Sequence, residues 1–90
     1  MSNADTPKVE IYAKYSCPYC IRAKALLDDK GVEYTEYEVT GDDDKRAEMI
    51  ERASGGRTVP QIFIDDEHVG GSDDLARLDR EGKLDTLLRL

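Results

Sequence analysis

The spacing of apolar positions along the chain switches repeatedly between a strand-like and a helix-like period, and each switch predicts an element. Lys8 to Lys14 (KVEIYAK) alternates and carries Val9, Ile11 and Tyr12, as a strand does. From Pro18 to Lys30 the pattern turns helical. Cys20, Ala23, Leu27 and the neighbouring Leu26 share one face, and Gly31 follows as a left-handed stop. Val32 to Val39 (VEYTEYEV) alternates again and predicts a second strand. Asp42, Asp43 and Asp44 then open a second helix, where acid suits the positive end of the helix dipole. Ala47, Ile50 and Ala53, with Met49 beside them, form its expected buried stripe. After the loop SGGRTVP, Gln61 to Ile64 predicts a third strand and Glu67 to Gly70 a fourth, joined by a tight turn at Asp65-Asp66 as an antiparallel hairpin. Ser72, Asp73 and Asp74 begin a third helix through Leu75 and Leu78. Gly82 interrupts it, and LDTLLRL adds a last amphipathic turn or two.

The resulting order, β-α-β-α-β-β-α, predicts one α/β domain with a four-stranded mixed sheet. Its first two strands are parallel across a right-handed helical crossover. Met1 to Ala4 read as a leader left by cloning; residues 1–7 are expected to be disordered and residues 8–90 to form the domain. The 90 residues suit a single small core, with 39% hydrophobic and 37% charged positions. No apolar run approaches the ~20 residues of a membrane span. A net charge of −7 argues against nucleic acid, which requires concentrated Lys and Arg. The N-terminus has neither a basic region nor an apolar one, so no secretory signal is expected and the cytoplasm is the expected compartment. There, closely spaced thiols are catalytic or metal-binding more often than structural.

Both cysteines of the chain stand in YSCPYC, Tyr15 to Cys20. Cys17 precedes Pro18, and proline is favoured at the first helical position, where its missing N–H would have had no partner. Cys17 is thereby expected at the N-cap, with open backbone N–H groups facing its sulfur and favouring a thiolate. Cys20, one turn further in, is expected to be buried and protonated. A stabilised thiolate leaves faster from a mixed disulfide, so the asymmetry serves turnover more than attack. A structural zinc site would need four ligands, against two cysteines and the single His68, itself read as an ordinary strand-edge residue.

Two further stretches carry candidate chemistry. In Thr58-Val59-Pro60, Pro60 suits a strand start. Were its peptide bond cis, Val59 would offer its backbone to an extended substrate, as in strand addition; taken alone, a trans bond is the expectation. In Gly70-Gly71-Ser72-Asp73-Asp74 the glycines allow close approach, and a helix N-terminus can hold a carboxylate while Asp73 or Asp74 accepts from an ammonium. Taken alone, Ser72 simply caps the helix.

Together, KYSCPYC, TVPQIFI and HVGGSDDL resemble the dithiol glutaredoxins, particularly the short bacterial glutaredoxin 3 type with a CPYC active site, over about Val9 to Leu88. The resemblance implies a thioredoxin fold with strand order 2-1-3-4 and a cis bond before Pro60. It implies Cys17 as nucleophile, Cys20 as resolving thiol, and no tightly bound cofactor or metal. Glutathione is the implied co-substrate. Its cysteine backbone would pair with Val59 beside Thr58, and its γ-glutamyl end would meet Gly71, Ser72 and Asp73 or Asp74. Its glycine carboxylate would lie near Lys14, with Arg57 or Arg46 as helpers and Tyr19 flanking the sulfur. Lys14, Arg22, Lys24 and Arg57 would form a basic rim, Tyr15 and Ser16 would shape the approach, and Ser72 departs from the cysteine of many relatives. The implied activity is glutathione-dependent reduction of protein disulfides and glutathionylated proteins by a monomer, with ribonucleotide reductase among the open targets. Two rivals remain: a redoxin reduced by thioredoxin reductase, and a carrier of a glutathione-ligated iron–sulfur cluster, against which Pro18-Tyr19 speaks.

Overall fold

The computed structural model describes residues 6–90. The expectation for residues 1–7 therefore falls mainly outside the described residues, while Thr6 and Pro7 line a surface cavity together with Val32 and Leu88. The elements run β1 (Val9–Ala13), α1 (Pro18–Asp29), β2 (Thr35–Glu38), α2 (Asp43–Arg52), β3 (Gln61–Ile64), β4 (Glu67–Gly70), α3 (Ser72–Arg80) and α4 (Lys83–Leu87). The sheet order is β2-β1-β3-β4, with β1 and β2 parallel and the other pairs antiparallel. Asp65 and Asp66 both adopt positive φ, 52° and 68°, the geometry that lets a two-residue hairpin turn follow the strands' twist.

Central β1 is buried on both faces, so all five residues are inside although the sequence alternates. One face packs Ile11 and Ile62 with Ala23 and Leu27 of α1 and Leu75 of α3. The other packs Tyr12 and Phe63 against Met49 and Ala53 of α2. Glu10 is only 4% exposed, held by Arg52 at 3.0 and 3.2 Å and by the Tyr37 hydroxyl at 2.8 Å.

Two expectations need correction. The buried face of α2 centres on Met49; Ala47 is exposed and Ile50 half-buried. Met49 is the larger apolar group and packs in one cluster with Tyr12 and Phe63, which turns the helix away from the Ala47 side. The second strand is shorter than Val32 to Val39: Thr35–Glu38 forms the strand beside β1, Val39 N–H adds one bond to the Ala13 carbonyl at 2.9 Å, and Val32 and Tyr34 pack on the core from the preceding loop.

Candidate active site

β1 ends at Ala13, and the chain must turn sharply to enter α1. Ser16 makes the turn with φ 57°, a left-handed conformation that costs a non-glycine residue about 1 kcal/mol. Tyr15 N–H anchors the same turn by donating to Glu38 Oε2 at 3.1 Å. Cys17 then takes an extended conformation as N-cap, with Pro18 at the first helical position. Its sulfur accepts from Cys20 N–H at 3.3 Å, the position a serine or aspartate oxygen fills at an ordinary helix start. Both thiols are free; Cys17 is half-buried and Cys20 fully buried. Burial first, and then the hydrogen bond with the Cys17 sulfur, push the Cys20 thiol up to about 11, so Cys20 rests protonated.

The sulfur of Cys17 faces the Val59 carbonyl across 3.9 Å. The Val59–Pro60 bond is cis, against the expectation from the tripeptide alone and as the resemblance implies. Beside it opens a cleft of about 430 Å³. Tyr19, Thr58, Val59 and Pro60 line one side, and Gly71, Ser72, Asp73 and Asp74 the other. These are eight of the residues expected from sequence, brought from three separate stretches.

The far wall is the start of α3. Ser72 does not cap it: Gly71 is the N-cap, no side chain bonds to the first-turn N–H groups, and Ser72 is the buried first helical residue. The Asp74 carboxylate reaches back to Gly71 N–H at 3.0 Å and also accepts from Arg77 at 3.0 Å. The Gly71 N–H above all, with Arg77, holds its carboxyl below the usual range. Asp74 is thus committed to the helix end, whereas Asp73 is exposed. Gly70 is required twice over. Its φ is 120°, and a Cβ there would come within 2.2 Å of Asp74 Oδ2.

Lys14 and Arg57 are exposed and do not line the cleft. Lys14 stands between Ala13 and the Ser16 turn, and the Arg57 carbonyl accepts from Arg46 Nη2 at 3.1 Å, which brings the Arg46 side chain to the Arg57 backbone. Arg22 lies over the ring of cleft-lining Tyr19 at 5.6 Å, and Lys24 pairs with Glu36 at 2.9 Å. Two lining residues escaped the sequence reading: Gln61 and His68. Their signal was spacing. Gln61 precedes Phe63 by two on one strand face, and Phe63 pairs with His68 across the hairpin. Among the described residues no three His, Cys, Asp or Glu side chains gather as a metal site. No helix among them is long and apolar enough to cross a membrane.

Comparison with known proteins agrees with this geometry. The glutaredoxin family model matches residues 9–69. Glutaredoxin 3 of Escherichia coli K12 is 60% identical over 81 residues, 90% of this chain and 96% of that protein. The solution structure of a glutaredoxin from Brucella melitensis superposes with a TM-score of 0.83 at 52% identity, covering 98% of this chain and 95% of that one. The crystal structure of a buckwheat glutaredoxin–glutathione complex superposes at 0.82 with 34% identity, covering 91% and 76%. A helix-capping thiol backed by a buried one, set beside the Val59–Pro60 cleft in a β2-β1-β3-β4 sheet, makes this chain a member of the glutaredoxin family of thiol–disulfide oxidoreductases.

Proposed function

We propose that the chain is a glutathione-dependent oxidoreductase that reduces protein disulfides and glutathionylated proteins through Cys17 and Cys20. The observation that carries this reading is the pairing of the Cys17 sulfur, which accepts from Cys20 N–H at 3.3 Å, with a cleft whose far end is a helix start where no N-cap side chain covers the first-turn N–H groups. Glutathione has matching chemistry: a thiol, a backbone that can run beside Val59, and a γ-glutamyl carboxylate for the open N–H groups of Ser72 and Asp73. Its ammonium suits exposed Asp73 better than Asp74. Its glycine carboxylate suits Lys14, with Arg57 and Arg46 nearby. The glutathione complex of the buckwheat glutaredoxin supports glutathione as the ligand.

The Cys17 thiolate attacks one sulfur of the substrate disulfide; the S–S bond breaks and the other sulfur leaves as a thiolate, which takes a proton. With a glutathionylated protein, Cys17 keeps the glutathionyl group. A free glutathione thiolate then attacks that group's sulfur, releasing oxidised glutathione and the Cys17 thiolate. With a protein disulfide, Cys20 gives up its proton and attacks the Cys17 sulfur. The reduced substrate leaves and a Cys17–Cys20 disulfide remains. One glutathione opens it at Cys17, and a second releases Cys17. The high proton affinity of Cys20 keeps it from competing as first nucleophile.

Single replacements test these roles. Cys17→Ser abolishes turnover of both a glutathionylated peptide and a protein disulfide in a glutathione reductase-coupled assay. Cys20→Ser retains the first and loses most of the second. Equal losses in both assays would overturn the assignment, and turnover with thioredoxin reductase but not glutathione would replace the reductant.

A further inference from the structure

Gln61, the first residue of β3, is a buried amide, 4% exposed, at the edge of the cleft. Its Nε2 lies 3.0 Å from the Thr58 carbonyl and 3.3 Å from the Thr58 hydroxyl. A carbonyl oxygen only accepts, so this end of the amide is the NH2 group. The other end, Oε1, is then an acceptor, and it lies 2.6 Å from His68 Nε2. His68 accordingly carries its ring hydrogen on Nε2 and donates. Phe63 fixes the imidazole from its face, with ring centroids 5.1 Å apart, because the two residues are cross-strand partners. The turn before Thr58 closes on the same amide: a Cβ at Gly56 would lie 3.2 Å from Gln61 Nε2.

The Thr58 oxygen and the Val59 N–H belong to one rigid peptide plane. Whatever fixes the oxygen also fixes the direction of the N–H. Among the described residues Val59 N–H donates to no protein group, and Thr58 and Val59 belong to no helix or strand. The Val59 side chain packs on the core, and the Gln61 side chain is what hydrogen-bonds the plane itself. We infer that Gln61, buttressed by His68, is a positioning residue that locks the Thr58–Val59 peptide with its N–H presented to substrate. The inference rests on the proposed function, in which that N–H receives the backbone of the glutathionyl group.

Kinetics on the full chain with a glutathionylated peptide at saturating glutathione test it. Gln61→Ala raises the KM for the peptide about 5- to 10-fold, the scale of one lost hydrogen bond. Its kcat stays within about two-fold, and iodoacetamide alkylates Cys17 at the wild-type rate, as expected where the nucleophile is untouched. His68→Ala raises KM less, about three-fold, since Gln61 keeps its bond to Thr58. His68→Gln restores it, because an amide N–H again donates to Gln61 Oε1. The double alanine variant is no worse than Gln61→Ala, since His68 acts through Gln61. An unchanged KM in folded Gln61→Ala, or a His68→Ala loss that adds in full or resists rescue, overturns the inference. If Gln61→Ala does not fold, the His68 pair decides, together with the Val59 amide resonance, which must move in His68→Ala and return in His68→Gln. If the wild-type chain does not turn over the glutathionylated peptide, the proposed function fails instead; the Val59 resonance then still decides whether the lock exists.

Discussion

The sheet face under α1 and α3 is built from Val9, Ile11, Ala13, Leu27, Ile62, Ile64 and Leu75, without a buried charge, and Cys20 sits within it. The face under α2 carries a polar network inside its aromatic cluster. Arg52 bonds Glu10 at 3.0 Å and Tyr12 Oη at 2.8 Å, and its guanidinium lies 4.1 Å from the Phe63 ring centroid. Tyr12 also donates to Glu48, and Tyr37 to Glu10. The difference assigns distinct tasks. A dry face keeps Cys20 neutral, with burial the first cause of its high proton affinity and the hydrogen bond with the Cys17 sulfur the second. A charged network, being directional, fixes where α2 lies on the sheet and carries no part of the redox step.

Arg52→Ala should break this comparison most severely. It strands the Glu10 carboxylate, whose side chain is 5% exposed, without a cation, and truncating one partner of a buried pair costs roughly 3–5 kcal/mol. Urea denaturation reads the loss, and Cys17 alkylation in the folded fraction stays at the wild-type rate. Replacing both partners, Glu10→Leu with Arg52→Met, recovers most of the loss, because no charge is left buried. A double variant as unstable as Arg52→Ala would mean that the network acts by packing. On the dry face, Leu27→Ala costs roughly 2–5 kcal/mol by transfer and cavity formation.

The two faces were also unequally legible in the sequence. The dry face could be read because Cys20, Ala23 and Leu27 repeat at helical spacing and Pro18 fixes where the helix begins. Cys17 at the N-cap follows from the same proline. The charged face could not. Glu10 occupies a polar position of an alternating strand, which predicts solvent, and the partner that lets it be buried lies 42 residues away. Met49 displaced Ala47 for a similar reason: helix rotation is set by the Tyr12 and Phe63 rings that it meets, not by its own periodicity. At the site, motif residues were legible because special backbone needs leave special residues. Gly70 and Pro60 are examples, although the cis bond itself followed only from the resemblance and the positive φ of Gly70 only from the structure. Gln61 and His68 were not, since an amide and an imidazole on a hairpin have many ordinary uses; spacing could bring them to one face, and their 2.6 Å contact shows what they do there.

Acid separates the faces by sign. Burial acts to raise the Glu10 carboxyl, but the Arg52 and Tyr37 hydrogen bonds and the Arg52 charge outweigh it and hold the group below the usual range. The Tyr12 hydroxyl, first among several partners, does the same for Glu48. A lowered folded value stabilises the native state above the unfolded carboxylate range, near ~4.3, and that contribution disappears as pH falls through the folded value. Urea midpoints should therefore fall from about pH 5 downward, and Glu10→Gln should flatten the fall. The cost of Leu27→Ala should stay constant over the same range, because Leu27 is fully buried among apolar side chains and its loss is one of transfer and cavity formation. A cost for Leu27→Ala that shrank in acid would merge the two faces.

The smallest expected effect lies at the edge of the dry face, where Lys24 of α1 meets Glu36 of β2 at 2.9 Å with side chains 28% and 35% exposed. The chemistry resembles that of Glu10 and Arg52, a cation on a helix against a strand carboxylate, but water reaches both partners. The hydrogen bond to Glu36 raises the Lys24 ammonium above its ordinary value, as any formed pair does. Solvent screening and the entropy of two long side chains nonetheless reduce such a pair to less than ~1 kcal/mol. Lys24→Met keeps the aliphatic stem against the sheet and removes only the charge. It should lower the urea midpoint slightly in dilute buffer and not at all near ~1 M salt, where the screening length is about 3 Å. Arg52→Ala should remain costly in the same salt, since the ions cannot enter between Glu10 and its partner. If the Lys24 variant proved as damaging and as salt-resistant as the Arg52 variant, burial would not be what distinguishes the two faces.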